Sequence, residues 1–457
     1  MIFEAKLAVS RTAGALARRS GRGGGTSLPG RLLQRLDRHA ISKLGSQLTR
    51  GSVVISATNG KTTTAALTAA ILARAGVPVV HNRAGANMAG GIATALLDAA
   101  RSRGRIVGEL GLFEVDEFWL DQVSEQLSPR VIVLSNLFRD QLDRYGELEA
   151  IADRWAGVVA AAPQSTRLVA CADDPLIAGL GRARADTLYF GVRDDTLALD
   201  GLAHASDSKH CRRCGAPLHY DAVYLGHLGR YRCPNGHDPQ PEPAVRAQAV
   251  QLRGVRSASF ELVTPSGSAR VELPLPGLYN VYNALAAAAL ALALGVSLGD
   301  VVAGLQTAEA AFGRAERIEL DGRELSIMLI KNPAGANEVL RTLALEPGDH
   351  DVLAVLNDRI ADGRDVSWIW DADFELLAPR VRRVVCAGTR APELAVRLKY
   401  AGVDSTRIEL ADRLDDALDA SLRGAERTLY ALPTYTALLE LRELLADRGV
   451  AARYWGT

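Results

Sequence analysis

The stretch Ser52-Val53-Val54-Ile55-Ser56-Ala57-Thr58-Asn59-Gly60-Lys61-Thr62-Thr63-Thr64 constrains this chain more than any other. A β-rich run meets a tight Gly-Lys-Thr turn, and an Ala/Leu-rich segment from Ala65 to Ala75 follows. Leu67 and Ile71 stand four apart there, as one buried face of a helix requires. Strand, glycine turn and helix start are the ingredients of a phosphate-binding loop, because the free N–H groups of a first helical turn point at the anion. In such a loop the Lys61 ammonium reaches the outer phosphates and the Thr62 hydroxyl can ligate Mg²⁺. The stretch departs from the general form at one place: the glycine expected five residues before Gly60 is Ile55.

At 457 residues the chain can bury a large core and should hold two or three domains. Lys+Arg and Asp+Glu are both 53, so net charge gives no reason to expect a nucleic-acid partner. No uninterrupted apolar run is long enough to span a bilayer, and the Arg-rich N-terminus has no signal-peptide apolar region. Five cysteines, three of them clustered, suit metal binding in a reducing compartment, so a cytoplasmic location is expected. The basic, Ala-rich opening and the run Gly21 to Gly30 read as a flexible lead-in and a loop. Arg31 to Leu48 reads as one amphipathic helix leading into Ser52.

From Ser52 to about residue 200, β-rich runs alternate with Ala/Leu helical stretches, which predicts a mainly parallel α/β sheet. Ligands of such sheets sit at the carboxyl ends of the strands. Glu114, Asp116 and Glu117 follow one predicted strand. Asn136, Arg139, Asp140, Gln141 and Asp143 follow another, and Asp173 and Asp174 a third. Singly, each acidic group reads as a helix cap or a solvated loop residue. Together beside a phosphate loop they predict hard oxygen ligands for Mg²⁺ and a metal–nucleotide site. The turn Asn82 to Met88 reads equally well as a phosphate or substrate contact and as a plain turn.

Lys209 to Asp238 changes character. Cys211-Arg212-Arg213-Cys214-Gly215 and Cys233-Pro234-Asn235-Gly236-His237 are short knuckles separated by a hairpin-length linker, the plan of a structural zinc ribbon. The fourth cysteine of a ribbon would fall at Gly236. His237 is the candidate fourth ligand, with His210, His219 and His227 as alternatives. Cys171 and Cys386 end apolar runs and read as core thiols.

Further on, Gly277 to Asn283 opens a long Ala/Leu helix, and Gly313-Arg314-Ala315-Glu316 precedes a second set of alternating elements. Thr58-Asn59-Gly60-Lys61-Thr62-Thr63, the Glu114 strand end, Asp140-Gln141-Leu142-Asp143, Gly277 to Asn283 and Gly313 to Glu316 occur in this order. Together they resemble the signature series of the Mur ligases, ATP-dependent enzymes that join an amine to a carboxylate in peptidoglycan precursors. The chain is most similar to the MurT branch, the synthetase subunits of lipid II isoglutaminyl synthase. The likeness includes the zinc-ribbon insertion, Gly24 to Gly30, Lys331-Asn332-Pro333-Ala334-Gly335, Ala361 to Asp371 and Leu432-Pro433-Thr434-Tyr435-Thr436.

The resemblance implies a Mur ligase-type parallel-sheet ATP-binding domain at 49–312, with a zinc-ribbon insertion at about 206–240. It also implies a segment 1–48 ahead of that domain and a Rossmann-like α/β domain at 313–457. It implies that ATP phosphorylates the D-glutamate carboxylate of the lipid II stem peptide and that ammonia then displaces phosphate. Thr58, Asn59, Gly60, Lys61, Thr62 and Thr63 would hold the phosphates. Asn283 would contact adenine, and Arg314 would approach the phosphates or ribose. Thr62, Glu114 and Gln141 would surround Mg²⁺. Most Mur ligases have histidine at the Gln141 position, so a second Mg²⁺ would be held more weakly here. No lysine occurs between Lys61 and Lys209, which argues against the carbamoylated lysine that many Mur ligases use.

The chain encodes no glutaminase. The resemblance therefore implies a heterodimer with a GatD-type glutamine amidotransferase, working on lipid II at the inner face of the cytoplasmic membrane. Asn357 to Asp371 reads as an N-capped helix with buried Trp368 and Trp370, except that Asp365 is expected to face the partner and orient its catalytic histidine. Two alternatives are a folylpolyglutamate-synthase-like ligase and a non-catalytic nucleotide-binding scaffold whose ribbon recruits partners.

Overall fold

The computed structural model describes residues 2–19, 27–82, 86–101, 104–140, 148–202, 206–308 and 314–451. The N-terminal segment is helical rather than a flexible lead-in: α1 (Ile2–Arg19) is followed by α2 (Leu28–Leu36) and α3 (Ala40–Gly45). Leu28, Pro29 and Gly30, which read as loop by composition, are the first turn of α2. Proline suits that position because its missing N–H has no partner there anyway. Gly30 is needed for close packing: a Cβ on it would lie 1.9 Å from the Gly90 carbonyl oxygen. The Gly30 N–H donates to Thr94 Oγ1 at 2.9 Å. The single helix expected over Arg31 to Leu48 is two helices. Asp37 breaks it in an extended conformation, its carboxylate accepting from the His39 N–H at 3.1 Å and from Lys43 at 2.8 Å.

The first α/β layer follows in the order β1 (Ser52–Ser56), α4 (Lys61–Arg74), β2 (Val79–His81), α5 (Ala89–Ala99), β3 (Leu110–Glu114) and α6 (Leu120–Leu127). It continues with β4 (Val131–Leu134), α7 (Leu148–Ala161), β5 (Arg167–Cys171), α8 (Pro175–Gly181) and β6 (Leu188–Val192). The hairpin β7 (His219–Leu225) and β8 (Leu228–Arg232) is separate, and β9 (Val245–Arg253), β10 (Ser257–Thr264) and β11 (Gly267–Leu273) rejoin the sheet. The nine strands run β11-β10-β9-β6-β5-β4-β1-β3-β2, parallel from β9 to β2 and antiparallel at β10 and β11. Strand β1 is interior, with every residue buried, as a continuous apolar run in a sheet covered on both faces should be.

Two helices then cover α4: α9 (Leu278–Ala293) and α10 (Leu298–Gln306). Alanines Ala284 and Ala286 to Ala289 are fully buried in α9, and their small side chains let it lie close to the sheet and α4. Leu7, Leu33 and Ile41 of the N-terminal helices share this core.

The second layer comprises β12 (Arg314–Leu320), β13 (Arg323–Met328), α11 (Pro333–Ala344), β14 (His350–Val355), β15 (Val381–Ala387) and α12 (Ala391–Tyr400). It ends with β16 (Ile408–Leu410), α13 (Leu414–Gly424), β17 (Thr428–Pro433) and α14 (Tyr435–Asp447). Its sheet order is β12-β13-β17-β14-β15-β16, parallel except for the β12–β13 hairpin, with a core on each face. The segment expected as an N-capped helix after Asn357 is an irregular loop with one short 3₁₀ turn, Ser367–Asp371. Gly363 at φ 87° and the Asp362 carboxylate, which accepts from the Thr436 N–H at 2.7 Å, commit it to a loop. Trp370 is 52% exposed, not buried, and lies beside Tyr400 and Arg397.

The Gly30 contact makes a stability prediction. Gly30→Ala should destabilise the protein by about 1–3 kcal/mol, the usual cost of overpacking. Gly157→Ala, exposed in α7 with nothing within 4 Å of a new Cβ, should be neutral or stabilising. Thermal melts of the two variants check this.

Candidate active site

Strand β1 delivers residues 57–60 to the carboxyl edge of the sheet, and α4 starts at Lys61. Two asparagines hold the turn. Asn136, just past β4, accepts from the Asn59 N–H at 2.9 Å and donates through Nδ2 to the Asn59 carbonyl at 3.0 Å. Asn283 packs against Gly60, which has φ 90°. A Cβ there would fall 2.0 Å from Asn283 Oδ1, so only glycine fits. The first N–H groups of α4 and the positive end of its dipole thus face a cavity of about 410 Å³.

Around this cavity the charges alternate. Lys61 is 8% exposed, and its Nζ lies 2.8 Å from Glu117 Oε2. Burial works against the Lys61 ammonium, but Glu117, Asp116 and Asp140 outweigh it and hold the pKa above its ordinary value. Burial likewise pushes Glu117 up, and Lys61 and Lys331 overcome it and bring the carboxyl below its usual range. Asp140 is raised because burial dominates over its ion pair with Lys331.

Lys331 and Asn332 lie just past the carboxyl end of β13 in the second sheet. Lys331 Nζ donates to the Thr58 carbonyl at 3.3 Å. Asn59 and Asn332 exchange side-chain amide hydrogen bonds of 3.2 and 3.0 Å. Asn332 also caps α11, its Oδ1 accepting from the Gly335 N–H at 2.8 Å. The second layer is therefore closed directly onto the loop between β1 and α4.

Away from the cavity, Cys211, Cys214, Cys233 and His237 bring their ligand atoms within 4.8 Å of one another. Cys214 Sγ lies 3.5 Å from Cys233 Sγ, and Cys233 Sγ lies 3.9 Å from His237 Nδ1. A tetrahedral zinc with bonds of ~2.3 Å to sulfur spaces its sulfurs by about 3.8 Å, so the donor set fits. The Ala216 N–H, Asn235 and His237 bring the Cys214 thiol down to about 6, favouring the thiolate that a metal needs. The alternative histidines are elsewhere: His219 pairs with Asp221 at 3.2 Å, His210 is exposed, and His227 is buried against Asp174.

Residues 55–235 match the Mur ligase middle domain, and residues 329–438 match the MurT ligase C-terminal family. The chain is 34% identical, over 94% of both sequences, to the lipid II isoglutaminyl synthase (glutamine-hydrolyzing) subunit MurT of Streptococcus pneumoniae. It is 32% identical to the Staphylococcus aureus subunit of the same name, over 92% of this chain and 93% of that one. The chain belongs to the MurT family. Among solved structures it resembles a pseudomurein peptide ligase type C from Methanothermus fervidus, with a TM-score of 0.68 at 23% identity. That match covers 89% of this chain and 80% of the other. Folylpolyglutamate synthase from Mycobacterium tuberculosis shares the fold too, with a TM-score of 0.60 at 18% identity over 89% and 94% of the chains.

Within this MurT-family fold, Thr58, Asn59, Gly60, Lys61, Thr62, Thr63 and Asn283 all border the cavity, as do Asn87 and Met88 of the second glycine-containing turn. Glu114 ends β3 at 1% exposed, its backbone N–H and C=O both bonded to the Asn82 side chain. The carboxylates bordering the cavity beside Lys61 are Asp116, Glu117 and Asp140. Gln141 and Asp143 lie outside the described residues, as does the side chain of Arg314, whose backbone opens β12.

The third strand end does not join the site. Asp173 is fully buried, bonded to Arg193, Tyr282 and the Val192 N–H, and Asp174 caps α8. Asp365 sits in a smaller crevice with Asp140, Lys331 and Trp368, accepting from the Ser367 N–H at 2.8 Å. Nothing local in the sequence pairs Lys61 with Glu117 or brings Lys331 and Asn332 to the loop. The only signal for the latter was the likeness of Lys331 to Gly335 to one branch of the family.

The metal cluster predicts that the purified protein carries one tightly bound zinc per chain. Cys211→Ser or Cys233→Ser should lose it. Elemental analysis checks this, and a metal-free wild-type protein would remove the assignment.

Proposed function

We propose that this chain is an ATP-dependent carbon–nitrogen ligase, the synthetase subunit of a lipid II isoglutaminyl synthase. The observation that carries this is the buried Lys61–Glu117 pair at the glycine turn, with Lys331 and Asn332 of the second layer closed onto the same turn. A loop of this kind grips a triphosphate, and the second layer bonded to it can present a second substrate to the same cavity. Family membership points to the D-glutamate α-carboxylate of the lipid II stem peptide as that substrate.

The reaction has two displacements. A carboxylate oxygen attacks the γ-phosphorus, the bond to the bridging oxygen breaks, and ADP leaves. Ammonia then attacks the acyl carbon, a proton is lost, and phosphate leaves with the former carboxylate oxygen. Phosphorylation matters because a carboxylate has no adequate leaving group of its own. Catalysis of the first step is mostly positioning and charge neutralisation. The N–H groups of residues 60–63 orient the phosphates, Lys61 neutralises their outer oxygens, and Lys331, already beside the loop, adds a second ammonium. Asn283 and Arg314 hold the adenosine end in this reading.

Two ammonium groups, Lys61 and Lys331, face four carboxylates, Asp116, Glu117, Asp140 and Glu338, among the described lining residues, so the wall does not by itself balance a polyphosphate. Thr62 and these hard oxygen donors, with Glu114 at the end of β3, suit Mg²⁺, and the family likeness would add Gln141. Bound Mg²⁺ would supply the missing positive charge between phosphates and carboxylates. Zinc at Cys211, Cys214, Cys233 and His237, with four protein ligands, is structural.

Ammonia comes from a glutaminase partner in a heterodimer, since the related subunits are named glutamine-hydrolyzing. Asp365, exposed at the crevice beside Lys331, is the residue we assign to that partner's side. Among the described residues no helix is long and apolar enough to cross a membrane. Contact with the inner face of the cytoplasmic membrane is through lipid II.

Incubation with ATP, Mg²⁺, ammonium and lipid II should release phosphate and lower the mass of lipid II by the exchange of hydroxyl for amino. Lys61→Ala should lose at least about 10²-fold of this activity while retaining zinc and partner, and retained amidation would overturn the reading. Asp365→Asn should lower glutamine-driven amidation and spare the ammonium-driven reaction. Equal loss of both would remove its assignment.

A further inference from the structure

The ribbon hairpin does more in this fold than close a metal site. Its two ends lie against different parts of the molecule. The cysteine knuckles flank the open end of β7 and β8. The turn Gly226-His227 at the other end is driven into the first layer, and Leu225 and Leu228, which bracket that turn, border the nucleotide cavity. Both leucines are buried, at 5% and 2% exposed, although the hairpin's own two strands cannot bury anything alone.

The turn is fitted closely. Gly226 has φ 57°, and a Cβ on it would meet the Phe138 ring at 2.8 Å. His227 is fully buried, its ring centroid 4.7 Å from that of Phe138, and its Nε2 lies 3.2 Å from Asp174 Oδ2. The same carboxylate oxygen accepts from the Leu137 N–H at 2.9 Å. Phe138 in turn donates its N–H to Thr58 Oγ1 at 3.0 Å, inside the phosphate turn. Ahead of the knuckles, Asp207 accepts from the Arg139 N–H at 3.0 Å. Residues 137–139 are thus gripped by the hairpin on one side and by the phosphate turn on the other.

We propose that the β7–β8 turn is a wall of the nucleotide site. Leu225 and Leu228 provide apolar surface against the nucleoside, and His227 is a positioning residue that fixes residues 137–139 against Thr58. The metal clasp then has a purpose: it holds the hairpin rigid so that its far end can serve as a pocket wall. This rests on the nucleotide reading of the cavity.

The test uses the full-length protein with Mg²⁺ and ADP. In the wild type, binding of ADP should slow hydrogen exchange of the backbone amides in residues 222–229. Leu228→Ala and His227→Gln should each weaken ADP binding by about tenfold, the effect of losing one anchor from a pocket wall. Zinc content and the melting temperature without nucleotide should stay near wild type in the milder variant Leu225→Val, with ADP binding still weakened several-fold. Unchanged exchange in 222–229 on ADP binding, or unchanged affinity in the folded variants, would overturn the inference and leave the nucleotide site standing. Failure of the wild-type protein to bind ADP at all would overturn both.

Discussion

A buried ammonium at the start of a helix is the feature on which the rest of this structure depends. Lys61 stands where the α4 dipole is positive, an unfavourable place for a cation without an anion beside it. Leaving one member of a buried pair uncompensated costs about 3–5 kcal/mol, so Glu117 cannot be absent while Lys61 stays buried. Glu117 in turn draws on Lys331, and Lys331 pairs with Asp140. The alternation of charge around the cavity follows from this requirement. In the proposed reading it also prepares the site: an incoming polyphosphate would meet cations already in place, and their carboxylate partners would be at hand for a divalent metal.

The turn that carries Lys61 also ties the two α/β layers together. Lys331 and Asn332, just past the carboxyl end of β13, bond to Thr58 and Asn59, so the layers share one hydrogen-bonded turn. Closure over a phosphate loop excludes water and strengthens every charge interaction inside. The ribbon hairpin contributes from a third direction, through Leu225, Leu228 and the His227–Asp174 contact. Three segments distant in sequence thus meet at one turn of four residues, 57–60.

Much of this is legible in the order of the residues alone. The apolar run Ser52 to Ser56, the Gly-Lys-Thr turn and the Leu67/Ile71 face require a strand, a turn and a helix start in that order, whatever the surroundings. The two knuckles with a hairpin between them are equally legible in their three cysteines, whereas the choice of His237 over His210, His219 and His227 needed the fold. Asp173 and Asp174 mislead because strand-end carboxylates look alike in sequence. Whether one faces a cavity or satisfies buried donors such as Arg193 and the Val192 N–H depends on neighbours far along the chain. Gly30 misleads for a related reason: a small residue demanded by a helix crossing looks the same as one demanded by a loop.

The sequence by itself determined the glycine turn between strand and helix, the alternation of strands and helices and the cysteine knuckles, because each is set by residues within a few positions of one another. Only the tertiary structure decided that Glu117 partners Lys61, that Asn283 forbids any side chain at residue 60, and that Lys331 and Leu228 reach the same cavity. Those contacts span between 56 and 273 residues of chain. No local pattern encodes them; they exist because burial of charge and apolar surface is settled by the whole fold at once.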